Sequence, residues 1–324
     1  MSILPQPIWL VVRCNIRTWR KKDCNRKIAQ TPAITLFPPA NGMGMMMQGR
    51  KTGLVAAALM LASCASGIRE QIYKADATPI SVAQWTKAPP QPLPVRTEDG
   101  LSLTGYYWPG DPGDHDVILF FHGRGSNQGV AARYAEHLTG HGDHVIVVSY
   151  RGFGGNPGSP TQAGLVADGR AFVTRARQLV GTDAHVFLVG HSLGGAVALH
   201  VGATASVTGV VTLSTFDKLA ESAPGAVGLL LPDKWNNLDA ATKIHAPLVM
   251  MLGTADDRVE LSQADALFDA AGTPATLLTM PGAGHNPDMS QLGPLVNEAV
   301  GAIDSGTIAA YPAALPPGWS VRRK

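Results

Sequence analysis

Cysteine is scarce: the 324-residue chain has three, Cys14, Cys24 and Cys64. Two of them lie before residue 63, so the remainder keeps only Cys64 and has neither a disulfide framework nor a cysteine-based metal site. Charge is also thin, at 15% Asp, Glu, Lys and Arg, which excludes a coiled coil. No apolar run reaches the roughly 18 residues that would span a bilayer, so the chain is not a polytopic membrane protein. Apolar residues are plentiful at 45%, with 36 Gly and 24 Pro, enough for one large or two small packed domains and too many for a disordered chain.

A net charge of +2 hides an asymmetry. Nine Lys/Arg and one acid, Asp23, fall in residues 1–63. Of the 26 basic and 24 acidic residues, 17 and 23 therefore remain in 64–324, a balance of −6. An acidic domain behind a basic leader argues against nucleic acid as a partner.

The leader has the order of an export signal. Arg50 and Lys51 form a positive n-region, and Gly53–Ala62 is an apolar core too short to span a bilayer. It ends in Leu61-Ala62-Ser63-Cys64, which resembles the lipobox of bacterial lipoproteins. That resemblance implies cleavage before Cys64, a diacylglycerol on its thiol and membrane attachment there. Ala65, not Asp, then follows the modified residue, implying the outer membrane of a bacterial envelope, facing the periplasm. Residues 43–63 are thus read as the signal peptide. Residues 1–42 are read as an over-long gene start, with initiation at Met43, Met45, Met46 or Met47; a long n-region is the alternative.

Residues 64–94, ending Pro-Pro-Gln-Pro-Leu-Pro, read as a tether. Val95–Thr97 and Leu101–Trp108 flank Glu98-Asp99-Gly100, a hairpin signal. Apolar strand-like runs follow at Val117–Phe121, Val145–Ser149, Val186–Val189, Val207–Leu213, Leu248–Leu252 and Ala275–Met280. Helix-period stretches near 128–139, 162–179, 193–203, 261–271 and 290–303 separate them. That alternation predicts an α/β fold over 95–304, a mostly parallel sheet with helices on both faces. Residues 217–243 form a longer insert, read as a short lid, whose Leu229–Leu231 either lines a pocket or faces the core. Residues 305–324 read as a Pro-rich tail.

Gly190-His191-Ser192-Leu193-Gly194 follows one strand and opens a helix. A serine there projects above the sheet from a sharp turn, flanked by glycines that permit close packing. The next-to-last strand runs into Asp256 and the last into His285, an acid and an imidazole at the carboxyl edge where open parallel sheets bind ligands. A helix N-cap is the plain alternative for Ser192, while Asp257 and Asp217 are rival acids. No metal is expected: His137 and His141 stand four apart, but Leu138 occupies the place where a zinc peptidase carries glutamate. A phosphate-binding loop and a dinucleotide fingerprint are both missing, so no cofactor is expected.

With these features the chain resembles the α/β-hydrolases, in the small-lid branch of serine aminopeptidase-like and acyl-ester hydrolases. The segments that carry the resemblance are Phe121–Asn127, Ser149–Gly154, Gly158–Thr161, the Ser192 turn and the Asp256 and His285 turns, spanning nearly all of 95–304. It implies Ser192 as nucleophile, His285 as proton carrier and Asp256 as its orienting acid, in the family's chain order. It also implies an oxyanion site from the backbone N–H groups of Leu193 and Arg124. The Arg124 side chain is either a solvated cation or a contact for an anionic substrate group. The expected activity is hydrolysis of a small acyl substrate, an ester first, with an aminopeptidase or a catalytically silent binding protein as alternatives.

Overall fold

The structure is a computed structural model that describes residues 65–78, 85, 87–219, 231–272, 274–286 and 288–324, all within one compact unit, Leu54–Lys324. Cys64 and the leader lie outside the described residues, as do Leu229 and Leu230 of the insert.

Nine strands form one sheet: β1 Gln91–Arg96, β2 Ser102–Trp108, β3 Asp116–Phe121, β4 His144–Val147, β5 His185–His191, β6 Gly209–Leu213, β7 Leu248–Gly253, β8 Ala275–Met280 and β9 Ser320–Arg323. Their order is β1-β2-β4-β3-β5-β6-β7-β8-β9. The run from β4 to β8 is parallel, while β1, β2 and β9 pair antiparallel. In register, Phe121 lies opposite Gly190, and His191 opposite Leu213, which aligns the carboxyl ends of the central strands.

Seven helices lie among the described residues: α1 over 65–73, α2 Gln128–Ala135, α3 Gln162–Val180, α4 Leu193–Gly202, α5 Asn237–Ala241, α6 Leu261–Ala270 and α7 Met289–Asp304. The strands are apolar on both faces because both are covered. Along β3, Val117, Leu119 and Phe121 enter one core with α3, α4 and α6, while Ile118 and Phe120 enter a second with α2 and α7. A buried ion cluster holds the turn after β4. Arg151 bridges the fully buried Asp168 (Nη2–Oδ1, 2.7 Å) and Asp99 (Nη1–Oδ2, 2.7 Å), and its N–H donates to Asp168.

Two segments differ from the sequence reading. The described residues of this segment, 65–78, 85 and 87–90, hold contacts with the domain instead of leading away from it. Tyr73 is fully buried, Arg69 pairs with Asp233 at 2.8 Å, and Trp85 sits edge-on against Trp108 and Tyr106. The hairpin also begins earlier, at Gln91, because Pro92 and Pro94 fall on the exposed side of an edge strand, where a missing N–H costs little. The residues after 304 return to the sheet: Tyr311 is buried, its hydroxyl donating to the Leu295 carbonyl, and β9 pairs with β8.

Candidate active site

The site forms where β3, β5, β7 and β8 end. Ser192 sits between β5 and α4 at φ 54°, ψ −118°, a backbone region that costs a non-glycine residue of order 1–3 kcal/mol. Neighbouring backbone holds it there. Its N–H donates to the Leu213 carbonyl (2.8 Å), and its own carbonyl accepts from Gly195 and Ala196. The turn is tight enough that a Cβ on Gly194 would lie 2.0 Å from the Phe121 carbonyl oxygen.

Asp256 follows β7, and its Oδ1 accepts the N–H groups of Arg258 and Val259, each at 2.9 Å. His285 lies on the turn after β8. Its Nδ1 stands 2.9 and 3.0 Å from the two Asp256 oxygens, and its Nε2 stands 3.0 Å from Ser192 Oγ. An ionised carboxylate can only accept, so the proton sits on Nδ1 and leaves Nε2 a lone pair for the serine hydroxyl. The Asp256 side chain has no exposed surface. Burial pushes its carboxyl up, but the Val259 and Arg258 amides and His285 outweigh that and hold it below the ordinary carboxylate value. The rival acids lie elsewhere: Asp257 is 84% exposed, and Asp217 accepts from Gln263 Nε2 at 2.7 Å.

Two further histidines frame the site as neutral groups. Burial brings both His191 and His122 down to about 4. His191 Nε2 donates to the His285 carbonyl at 2.8 Å, which ties the turn of the second histidine to the serine turn. His122 packs 4.4 Å from the Tyr150 ring, and its Nδ1 donates to the Gly123 carbonyl. Gly123 packs closely on the serine turn, since a Cβ there would sit 3.2 Å from the His191 carbonyl oxygen. Among the described residues neither the Leu193 N–H nor the Arg124 N–H has a hydrogen-bond partner.

A cavity of about 420 Å³ opens above Ser192 and His285. Its apolar wall includes Phe120, Val130, Tyr134, Phe216, Leu219 and Ile72, and no acid is among its described lining residues. Ile72 belongs to the segment read as a tether, which also supports the site's turns. The Tyr73 carbonyl accepts Gly125 N–H at 3.1 Å, and the Asp76 carboxylate accepts Asn127 Nδ2 at 2.9 Å. Arg258, on the Asp256 turn, is a second wall residue that sequence reasoning did not single out. Its only sequence signal was its place two residues after the acid.

Potential metal ligands gather far from this cavity. Asp116, His185 and Asp304 bring ligand atoms within 4.8 Å of one another, as do Asp114, Asp116 and Asp143, near the opposite edge of the sheet. The sequence reading found no such grouping because the residues are up to 188 positions apart. No helix among the described residues is long and apolar enough to cross a membrane.

The family described as serine aminopeptidase, S33, matches residues 113–238. An uncharacterized protein of Mycobacterium tuberculosis is 32% identical over 227 residues, which cover 67% of this chain and 80% of that one. Among solved structures, an esterase of Pyrococcus furiosus aligns with a TM-score of 0.57 at 18% identity, over 71% of this chain and 98% of its own. A puromycin-hydrolyzing peptidase of Mycobacterium tuberculosis aligns with a TM-score of 0.58 at 18% identity, over 70% of this chain and 42% of its own.

Proposed function

Because the chain belongs to the α/β-hydrolase superfamily, we propose that it is a serine hydrolase cleaving carboxylic esters or related acyl bonds through an acyl-enzyme. The observation that carries this reading is His285, which reaches Ser192 Oγ with one ring nitrogen and Asp256 with the other, at the floor of a largely apolar cavity.

In this mechanism Ser192 Oγ attacks the substrate carbonyl carbon while its proton passes to His285 Nε2. Asp256 holds the imidazole in the needed tautomer and stabilises its cationic form. The carbonyl oxygen gathers negative charge, which the free N–H groups of Leu193 and Arg124 receive. The C–O bond to the leaving alcohol then breaks as His285 returns the proton. Water, deprotonated by the same ring, releases the acid and restores Ser192. No metal or cofactor is needed for any step.

Ester hydrolysis is preferred over aminopeptidase action because the described cavity wall offers no carboxylate to receive a free ammonium group. We further read Cys64 as lipidated, which would place the enzyme on the bacterial outer membrane. Metabolic labelling with a fatty-acid probe should mark the wild type and not Cys64→Ser.

Activity is tested on the full-length chain and its Ser192→Ala variant, with nitrophenyl esters of increasing acyl length and aminoacyl-anilides. Ester turnover by the wild type alone supports the reading, and anilide turnover in its place would move the assignment to a peptidase. Turnover that survives in Ser192→Ala would remove Ser192 as nucleophile. A folded sample active on neither class points to a binding protein.

A further inference from the structure

Two arginines line the same cavity, one without a carboxylate partner among the described residues and the other with only a long, exposed one. Arg124 lies on the turn after β3 and Arg258 on the turn after β7, with Ser192 between those strands' ends. Arg124 has no carboxylate partner among the described residues, and Arg258 has one long ion pair, its Nε 4.0 Å from the 84% exposed Asp257. Four other arginines of the domain are ion-paired: Arg69 with Asp233, Arg151 with Asp99 and Asp168, Arg170 with Glu98, and Arg322 with Asp265. Arg96, Arg133, Arg175, Arg177 and Arg323 have no carboxylate partner among the described residues either, but none of them lines this cavity, where two cations face a hollow with no acid among its described lining residues.

The charges around them leave that excess uncancelled. His122 and His191 are neutral, and Asp256 is enclosed behind His285. The two guanidiniums are also near enough to repel: burial and then Arg258 lower the proton affinity of Arg124. An anion placed between them would relieve that repulsion. Guanidinium forks match carboxylate, phosphate and sulfate groups with paired hydrogen bonds, and low-dielectric walls strengthen the attraction.

We infer that the substrates are anionic esters, in which a carboxylate, phosphate or sulfate on the acyl or the alcohol part is received by Arg124 and Arg258 while Ser192 attacks the ester carbonyl. The inference rests on the assignment of Ser192 as nucleophile and adds the charge of the substrate to it.

The test uses the full-length chain and three esters: neutral nitrophenyl hexanoate, mono-nitrophenyl adipate with the anion on the acyl side, and carboxy-nitrophenyl hexanoate with it on the alcohol side. The readout is the ratio of kcat/KM for each anionic ester to that for the neutral one, so general damage to a variant cancels. A charged hydrogen-bonded contact predicts a preference of about tenfold for at least one anionic ester, and which one identifies the side. Arg124→Gln and Arg258→Gln should each erode that ratio, and Arg258→Glu should push it below one. Rising salt should erode it in the wild type, without any variant. A wild-type ratio of one, or a preference untouched in the double Gln variant, overturns the inference and leaves Ser192 in place. If no ester is cleaved the ester-hydrolase reading fails, if Ser192→Ala still cleaves them the nucleophile assignment fails, and in either case the inference falls with it.

Discussion

A methyl group added at Gly194 tests the geometry of the serine turn. Its Cβ would lie 2.0 Å from the Phe121 carbonyl oxygen and 2.7 Å from that of His122, where ordinary contact begins at 3.4 Å. The first turn of α4 and the end of β3 must therefore part by about 1.4 Å, and both sides are backbone, which cannot swing aside as a side chain would. Overpacking costs about 1–3 kcal/mol, and two unyielding walls place Gly194→Ala near ~3. At about 2–4 °C per kcal/mol for a domain of this size, the melting temperature should fall by roughly 6–12 °C. The same displacement moves Ser192 relative to the Gly123 turn, and an error near ~1 Å costs about 100-fold in rate. Gly301, exposed on α7 with nothing within 4 Å of an added Cβ, is the control. There the same substitution should raise stability by about 0.5–1 kcal/mol through helix propensity alone. Thermal unfolding and ester turnover read both variants. Gly194→Ala with wild-type melting and turnover would refute the close approach.

Asp256→Asn keeps the shape but presents an amide N–H to His285 Nδ1, turning the ring to the wrong tautomer. Turnover of a nitrophenyl ester should drop about 10⁴-fold, while Asp217→Asn stays within about twofold. Asp168→Ala leaves the Arg151 guanidinium, whose side chain is 11% exposed, with only the half-exposed Asp99 as its carboxylate partner, and should cost about 3 kcal/mol in urea unfolding. Asp143 is pushed up to about 7 by burial and by Asp116, Asp114 and Asp304. Between about pH 4 and pH 7 the unfolded chain has lost that proton and the folded chain keeps it, so stability falls as pH rises through this window. Denaturant unfolding at pH 5 and pH 8 should show a larger loss in the wild type than in Asp143→Asn.

The central sheet was legible because its strands are buried on both faces. Val117–Phe121 is continuously apolar, Ala275–Met280 is interrupted only by Thr276 and Thr279, and helix-period segments bound them. The site was legible for a related reason: each of its three side chains ends a strand, so chain order and strand position together located Ser192, Asp256 and His285. What stayed hidden depends on contacts between distant residues. Ile72-Tyr73 and Trp85 are short apolar interruptions between polar residues, and nothing local reveals that Tyr73 is fully buried. The proline run before Val95 reads as extended, a description that fits an edge strand as well as a tether. Tyr311 and β9 sit in a short segment rich in proline and glycine; Tyr311 is held by the Leu295 carbonyl, and β9 pairs with β8 residues some 45 positions away. The position of Arg258 in the cavity wall follows from how the turns after β3 and β7 converge, which residue spacing does not encode.

The two outer strands carry a consequence for solubility. A sheet edge offers unpaired backbone groups to which another chain can add, and such additions seed aggregates. At one edge, β1 turns Pro92 and Pro94 outward, and proline has no N–H to offer a newcomer. At the other, β9 is only four residues long and its charged side chains are tied to the domain, Arg322 to Asp265 and Arg323 to the Tyr311 carbonyl, so an incoming strand meets a short edge lined with charged groups. Each rim is guarded by a different chemistry. Trimming residues 320–324 would expose β8, an uncharged strand of six residues, as a template for intermolecular pairing. A C-terminally shortened protein should then be lost to precipitation at concentrations the full chain tolerates, with its active site unaltered.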